Sequence, residues 1–177
     1  MLPGVRWILI HEKRNLCKLL PTEIDSFPAV LDIGSGSGST LGIFPENLLI
    51  VAVDQSEDML IQTIRRRPGT AAVVALADAL PFKSSVFHFC SCIGVTEYFS
   101  CPDIPLDEMN RVLTDSGRLL ITFPKRSLFN YLRFILGHAI YLRNASWQSL
   151  LSKSHFRPDK MLHSWLQIQI VTKHKKT

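Results

Sequence analysis

The stretch Val30-Leu31-Asp32-Ile33-Gly34-Ser35-Gly36-Ser37-Gly38 constrains this chain more than any other: an apolar segment carrying one carboxylate breaks into a loop with glycine at every second position. A short apolar run bounded by glycines reads as a buried strand. The glycines permit a sharp turn and let a ligand lie against main-chain N–H groups that a Cβ would screen. Such a strand and loop indicate a nucleotide-type cofactor. The dinucleotide fingerprint G-x-G-x-x-G is not met, because the third position after Gly36 is Ser39. A dinucleotide oxidoreductase is therefore disfavoured.

Further along, apolar runs alternate with helical patterns, the order that builds a parallel sheet with helices on both faces. Leu48 to Asp54 is a continuous apolar run ending on a carboxylate 20 residues beyond Gly34, a spacing suited to an acid that accepts ribose hydroxyls. Ser56 starts a helix with Glu57 and Asp58 in its first turn and Arg65, Arg66 and Arg67 at its end, before Pro68-Gly69. That charge order matches the helix dipole. A third run, Ala71 to Ala77, leads into Asp78-Ala79-Leu80-Pro81-Phe82, and a fourth, Val86 to Cys92, into Ile93-Gly94-Val95-Thr96-Glu97-Tyr98. A helix with apolar Leu106, Met109 and Leu113 is expected next, then a turn at Thr114–Gly117 and a fifth strand Arg118–Phe123.

With D-x-G-x-G-x-G after the first strand and the acidic segments after the next three, the chain resembles the class I S-adenosylmethionine-dependent methyltransferases. The likeness is to their small-molecule branch, which includes enzymes of ubiquinone, menaquinone and biotin synthesis, and runs from about Ala29 to Pro124. It implies an α/β fold, a doubly wound, Rossmann-like, mostly parallel sheet with an antiparallel strand near the C-terminus. It implies S-adenosyl-L-methionine as cofactor, with Asp32 orienting the ammonium group, Gly34, Ser35, Gly36 and Gly38 along the methionine part, Asp54 and Gln55 at the ribose, Asp78 and Ala79 at the adenine, and Ile93 in the segment that flanks the methionine part and the methyl group. Methyl transfer from a sulfonium is an in-line displacement that needs alignment, and a base only where the acceptor must lose a proton. Glu97, where the methyl group should emerge, is the first candidate base; Tyr98, Lys125, Tyr131 and His138 follow it. The chain departs from the family's habits at Asp115-Ser116-Gly117, where Pro-Gly-Gly is usual, and at His155-Phe156, where Gly-Phe is.

At 177 residues and 46% hydrophobic, the chain suits one domain. Its expected parts are a helical N-terminal segment over 1–28, with a helix from Arg6 to Leu20 laid over the sheet edge, a cofactor-binding core over 29–124, and substrate-side elements over 125–177. No run reaches the roughly 18 apolar residues of a membrane span, and the start lacks signal-peptide order, so a cytoplasmic protein is expected. Four cysteines form no disulfide framework. His88, Cys90 and Cys92 alternate along one strand but read as core rather than zinc ligands, and no metal is expected.

Charge is uneven. Residues 1–117 carry 9 Lys and Arg against 14 Asp and Glu, and residues 118–177 carry 11 against 1. A cationic field beside the substrate side would gather anionic acceptors. Ser127 to Arg143 is apolar almost all round with basic ends, so a helix over 128–142 is expected either packed on the sheet or bordering a lipid-like acceptor, with peripheral membrane contact. No Asn-Pro-Pro-Tyr or Asp-Pro-Pro-Tyr follows the fourth strand, which disfavours nucleic acid. The leading expectation is O- or C-methylation of a small or lipid-like molecule; the rival is a non-catalytic, methyltransferase-like module that binds the same cofactor.

Overall fold

The structure, a computed structural model, describes residues 3–125 and 147–174. Seven strands form one sheet in the order β3-β2-β1-β4-β5-β7-β6. They are β1 (Val30–Ile33), β2 (Ile50–Asp54), β3 (Ala71–Val74), β4 (Phe87–Cys92), β5 (Leu113–Pro124), β6 (Phe156–His163) and β7 (Gln167–His174). The first five are parallel, and β7 runs antiparallel to both β5 and β6. Among the described residues four helices accompany them: α1 (Pro3–Leu19), α2 (Glu57–Arg66), α3 (Asp103–Val112) and α4 (Trp147–Lys153). The apolar helix expected over 128–142 lies outside the described residues.

Strand β1 is central, and all four of its residues are buried. Alternation divides its side chains between two apolar layers. Leu31 and Ile33 face Cys90, Cys92 and Ile121 beneath α3 and α4, whereas Val30 meets Ile50, Phe89 and Leu120 beneath Leu16 and Leu19 of α1. Removing a fully buried side chain such as Leu31 costs about 2–5 kcal/mol. By contrast β3, the outer strand, is largely exposed, so the alanines and valines of the third run mark an edge rather than a doubly covered strand. Helix α2 begins as its sequence directs: the Ser56 hydroxyl accepts the Met59 N–H at 3.4 Å.

Helix α1 lies over one face of the sheet, reaching from the edge strand β6 and its neighbour β7 to the turn at Leu41–Ile43. Its one carboxylate, Glu12, is buried and accepts the Leu166 N–H at 3.2 Å and the Gln169 amide at 2.8 Å. No helix among the described residues is long and apolar enough to cross a membrane.

Two local expectations are corrected. Leu113 does not end α3; it opens the 12-residue β5 and pairs with Phe87. The next pair is Phe89 with Arg118, so residues 114–117, expected as a turn, form a bulge opposite His88. The same irregularity breaks the expected His88, Cys90, Cys92 face. Cys90 and Cys92 are fully buried in the layer under α3, while His88 stacks on Phe27, 5.7 Å between ring centroids, beside the other layer. Burial pushes both thiols well above their usual range, as expected of core cysteines.

Candidate cofactor cleft

The cleft opens at the carboxyl ends of β1, β2 and β4, the position where open parallel sheets bind ligands. Its volume is about 750 Å³, and its walls come from the loop after β1, the end of β2, the segment after β3 and the segment after β4.

The three glycines of the β1 loop share a left-handed backbone, with φ of +67°, +54° and +70°, but for different reasons. A Cβ on Gly34 would fall 2.6 and 2.7 Å from the Val95 methyl carbons, and one on Gly38 would sit 3.0 Å from the Thr63 hydroxyl oxygen. Those two are glycine because protein packs against them. A Cβ added at Gly36 would meet nothing within 4 Å, so its missing side chain leaves room on the cleft side of the loop. Gly38 does not line the cleft.

Asp54, at the end of β2, locks this loop. Its Oδ2 accepts the Gly36 N–H at 2.8 Å and its Oδ1 accepts the Ser56 N–H at 2.9 Å, joining the glycine loop to the start of α2. Each carboxylate oxygen retains a second lone pair, so the paired acceptors remain available to a diol. Thr63 completes the clamp from α2, its buried hydroxyl donating to the Gly36 carbonyl at 2.8 Å. The Arg67 guanidinium donates to the carbonyls of Leu41, Phe44, Pro45, Glu46 and Leu48, pinning the chain between β1 and β2. The sequence suggested only a helix-terminal charge for Arg67.

Asp32 stands behind the loop, 1% exposed and outside the cleft lining. Ser91 of β4 donates a hydroxyl hydrogen bond to its Oδ1, and Oδ2 has no partner among the described residues. Burial, only partly offset by Ser91 and reinforced by the Asp54 charge, raises its pKa to about 7. The Ser35 hydroxyl, in the cleft lining, is likewise buried and without a partner. Orphaned buried polar atoms are uncommon in folded proteins. The Ser35 hydroxyl would suit the carboxylate of an amino-acid group, whereas Asp32 Oδ2, behind the lining, would meet its ammonium through an intervening water.

Gln55 and Asp78 line the cleft, with Leu76 and Ala77; Ala79 does not, and its N–H turns back to the Leu76 carbonyl at 3.2 Å. A pair on α3 holds this segment from below. Glu108 accepts the Leu80 N–H at 2.8 Å, and Arg111 donates to the Leu80 and Phe82 carbonyls at 2.9 and 2.7 Å. The two side chains also bond to each other, which lowers the Glu108 pKa. After β4, Ile93, Gly94 and Val95 line the cleft, and Thr122 of β5 fixes them: its hydroxyl accepts the Gly94 N–H at 2.8 Å and its carbonyl accepts the Thr96 hydroxyl at 2.7 Å. Tyr98, Phe99, Cys101 and Ile104 close the far wall. Glu97 sits in the short helical turn between Thr96 and Tyr98, 6% exposed, and does not line the cleft. Among the described residues no cluster of metal-ligating side chains occurs.

The strand order, the antiparallel β7 and this cleft together define the class I methyltransferase architecture. Comparison with known proteins agrees. The methyltransferase partner in a complex with the Trm112 methyltransferase activator of Haloferax volcanii superposes with a TM-score of 0.77 at 14% identity, over 98% of this chain and 92% of that one; at that identity the likeness is one of fold. Uncharacterized protein MJ1123 of Methanocaldococcus jannaschii is 32% identical over 99 residues, 56% of this chain and 46% of its own length. Uncharacterized methyltransferase YcgJ of Bacillus subtilis is 30% identical over 104 residues, 52% of this chain and 39% of its own length. The matches thus span less than half the length of these relatives. The family model described as "Methyltransferase domain" matches residues 31–121, and the chain belongs to that family.

Proposed function

We propose that this chain binds S-adenosyl-L-methionine and transfers its methyl group to a small-molecule or lipid-like acceptor, on oxygen or carbon. The observation that carries the reading is the convergence on one cleft of the open Gly36 backbone, the paired oxygens of Asp54, and Asp78. In this reading Asp32 Oδ2 and the Ser35 hydroxyl take the amino-acid end, Asp54 and Gln55 the ribose, and Asp78 the adenine amine, with Ile93 and Leu76 as apolar walls. When bound, the cofactor supplies an electrophilic methyl group. The protein's part is alignment and exclusion of water.

For an acceptor that must lose a proton, Glu97 is the proposed base, reached through movement of the turn that also carries Tyr98. The family membership and the basic balance after Gly117 support an anionic acceptor in a cytoplasmic setting; the motifs give no support for nucleic acid. A non-catalytic cofactor-binding module is the second reading. It is favoured by one observation: among the described residues the titratable groups in the cleft lining are Asp54, Asp78, Tyr98 and Cys101, without histidine or lysine.

The test has two stages. Titration with S-adenosylmethionine, S-adenosylhomocysteine, NAD and NADP should show binding by the first two alone; equal binding by NAD would overturn the cofactor assignment. Incubation with methyl-labelled cofactor and fractionated extract should then label an aqueous or lipid fraction. Tight binding with no labelled fraction would favour the non-catalytic module.

A further inference from the structure

Away from the cleft, α1 and the β6–β7 turn share an aromatic cluster. Trp7 stacks on His11 at 5.7 Å and meets Trp165 edge-on at 6.2 Å between ring centroids. Both tryptophans are open to solvent, Trp7 at 57% and Trp165 at 64%, and Ile10 beside them is 43% exposed. Exposed apolar side chains are ordinary singly, whereas a contacting group of them marks an interaction surface.

The exposed charge on α1 among the described residues has one sign. Lys13, Arg14 and Lys18 are exposed on α1, and no carboxylate among the described residues pairs with them; Glu12, the helix's only carboxylate, is buried against β7. On the other side, the single carboxylate between Arg118 and Thr177 is Asp159, which Lys173 already holds at 2.8 Å. The turn carrying Trp165 lies at the carboxyl end of β5, where Lys125 N–H donates to the Leu166 carbonyl at 2.9 Å. The cluster therefore sits at the same end of the sheet as the cleft.

We infer that Trp7, Ile10 and Trp165, with Lys13, Arg14 and Lys18, form a docking surface for an anionic lipid bilayer. Tryptophan rings settle at the headgroup level of bilayers, and a helix with an apolar, aromatic side and basic residues lies along the interface, held by apolar contact and attraction to anionic lipids. Exposed tryptophans also suit single-stranded bases, but an exposed aliphatic Ile10, one turn from Trp7 on the same helix, gains from acyl chains and not from bases. The inference does not depend on the cofactor or acceptor assigned above.

The test is vesicle flotation with tryptophan fluorescence, using phosphatidylcholine vesicles with and without phosphatidylglycerol. The full chain should float with the anionic vesicles, its emission shifting to the blue, and the bound fraction should fall as salt rises. Trp7→Ser with Trp165→Ser should lower the bound fraction about tenfold, while Trp147→Phe keeps the shift. Lys13→Glu with Arg14→Glu, both at solvated positions that leave the fold intact, should remove the preference for anionic vesicles. Equal flotation with neutral vesicles, an unshifted emission, or binding to a single-stranded oligonucleotide in place of vesicles would overturn the inference. Cofactor titration of the same variants keeps this result separate from the fate of the methyltransferase reading.

Discussion

Replacing Asp32 by asparagine should make folding stability less dependent on pH. In the unfolded chain this carboxyl ionises near 3.8, and in the folded protein burial holds it to about 7. Below 3.8 both states carry the proton and the site costs nothing. Between 3.8 and 7 the unfolded chain ionises while the folded chain keeps its proton, so this site's contribution falls as pH rises and levels off above 7. At about 1.36 kcal/mol per pH unit the full cost is about 4 kcal/mol, of which about 3 kcal/mol accrues between about pH 5 and about pH 8. The asparagine side chain would still accept from Ser91 but would bury an N–H pair where Oδ2 lacks a partner, a penalty of about 1–3 kcal/mol that is the same at both pH values. Subtracting the variant from the wild type at each pH cancels every other carboxylate, and comparing that difference between the two pH values cancels the constant penalty. Urea unfolding at the two pH values should therefore show Asp32→Asn gaining about 3 kcal/mol on the wild type as pH rises. If the difference is unchanged with pH, the carboxyl is ionised in the folded protein throughout, and the argument from its burial is wrong. The same charge explains a second expectation: a cofactor ammonium bridged to Oδ2 by water would favour the carboxylate, so binding near neutral pH should release a proton, and the variant should lose that release along with affinity.

The glycines should separate by cause. Gly34→Ala, meeting Val95 at 2.6 Å, should lose about 2–5 kcal/mol of stability, whereas Gly36→Ala, with nothing within 4 Å, should lose only the left-handed strain of about 1–2 kcal/mol yet bind S-adenosylmethionine far more weakly; equal stability losses would mean the loop packs differently. Arg67→Lys keeps the charge but cannot span five carbonyls from one nitrogen, so chemical denaturation should show a loss of roughly 1.5–3 kcal/mol, and an unaltered midpoint would refute the clamp. Glu97→Gln should leave cofactor affinity intact while lowering turnover by roughly 10²–10⁴-fold if Glu97 is the base. A mild effect would assign the rate to alignment alone.

What the sequence made legible follows one physical rule. Parallel strands covered on both faces are largely apolar, so the runs at Val30, Ile50 and Phe87 stand out, and a carboxylate within or at the end of such a run is conspicuous because burying it is costly. That is why Asp32, Asp54 and the Gly34 loop could be read without coordinates. The bulge at residues 114–117 could not. Leu113 follows Met109 at helical spacing, and Thr-Asp-Ser-Gly has the composition of a turn; only the pairing of Phe87 with Leu113, a contact across 26 positions, assigns these residues to a strand.

The same division runs through the cleft. The glycine backbone and carboxylates that face it are what local pattern betrays. Those that hold them are Thr63, Arg67, Ser91, Arg111 and Thr122, each bonding across roughly 20 to 60 positions and each unremarkable where it stands in the sequence. Thr63 sits on a polar helix and Thr122 in an apolar strand, so neither composition nor period marks them. Their importance is nonetheless calculable from geometry. The Gly36 backbone is fixed on one side by Asp54 and on the other by Thr63, so loss of either hydrogen bond would free the one segment whose open space a cofactor needs. A cleft lined by main chain is only as ordered as the side chains behind it, and in this protein those side chains come from α2, α3, β4 and β5.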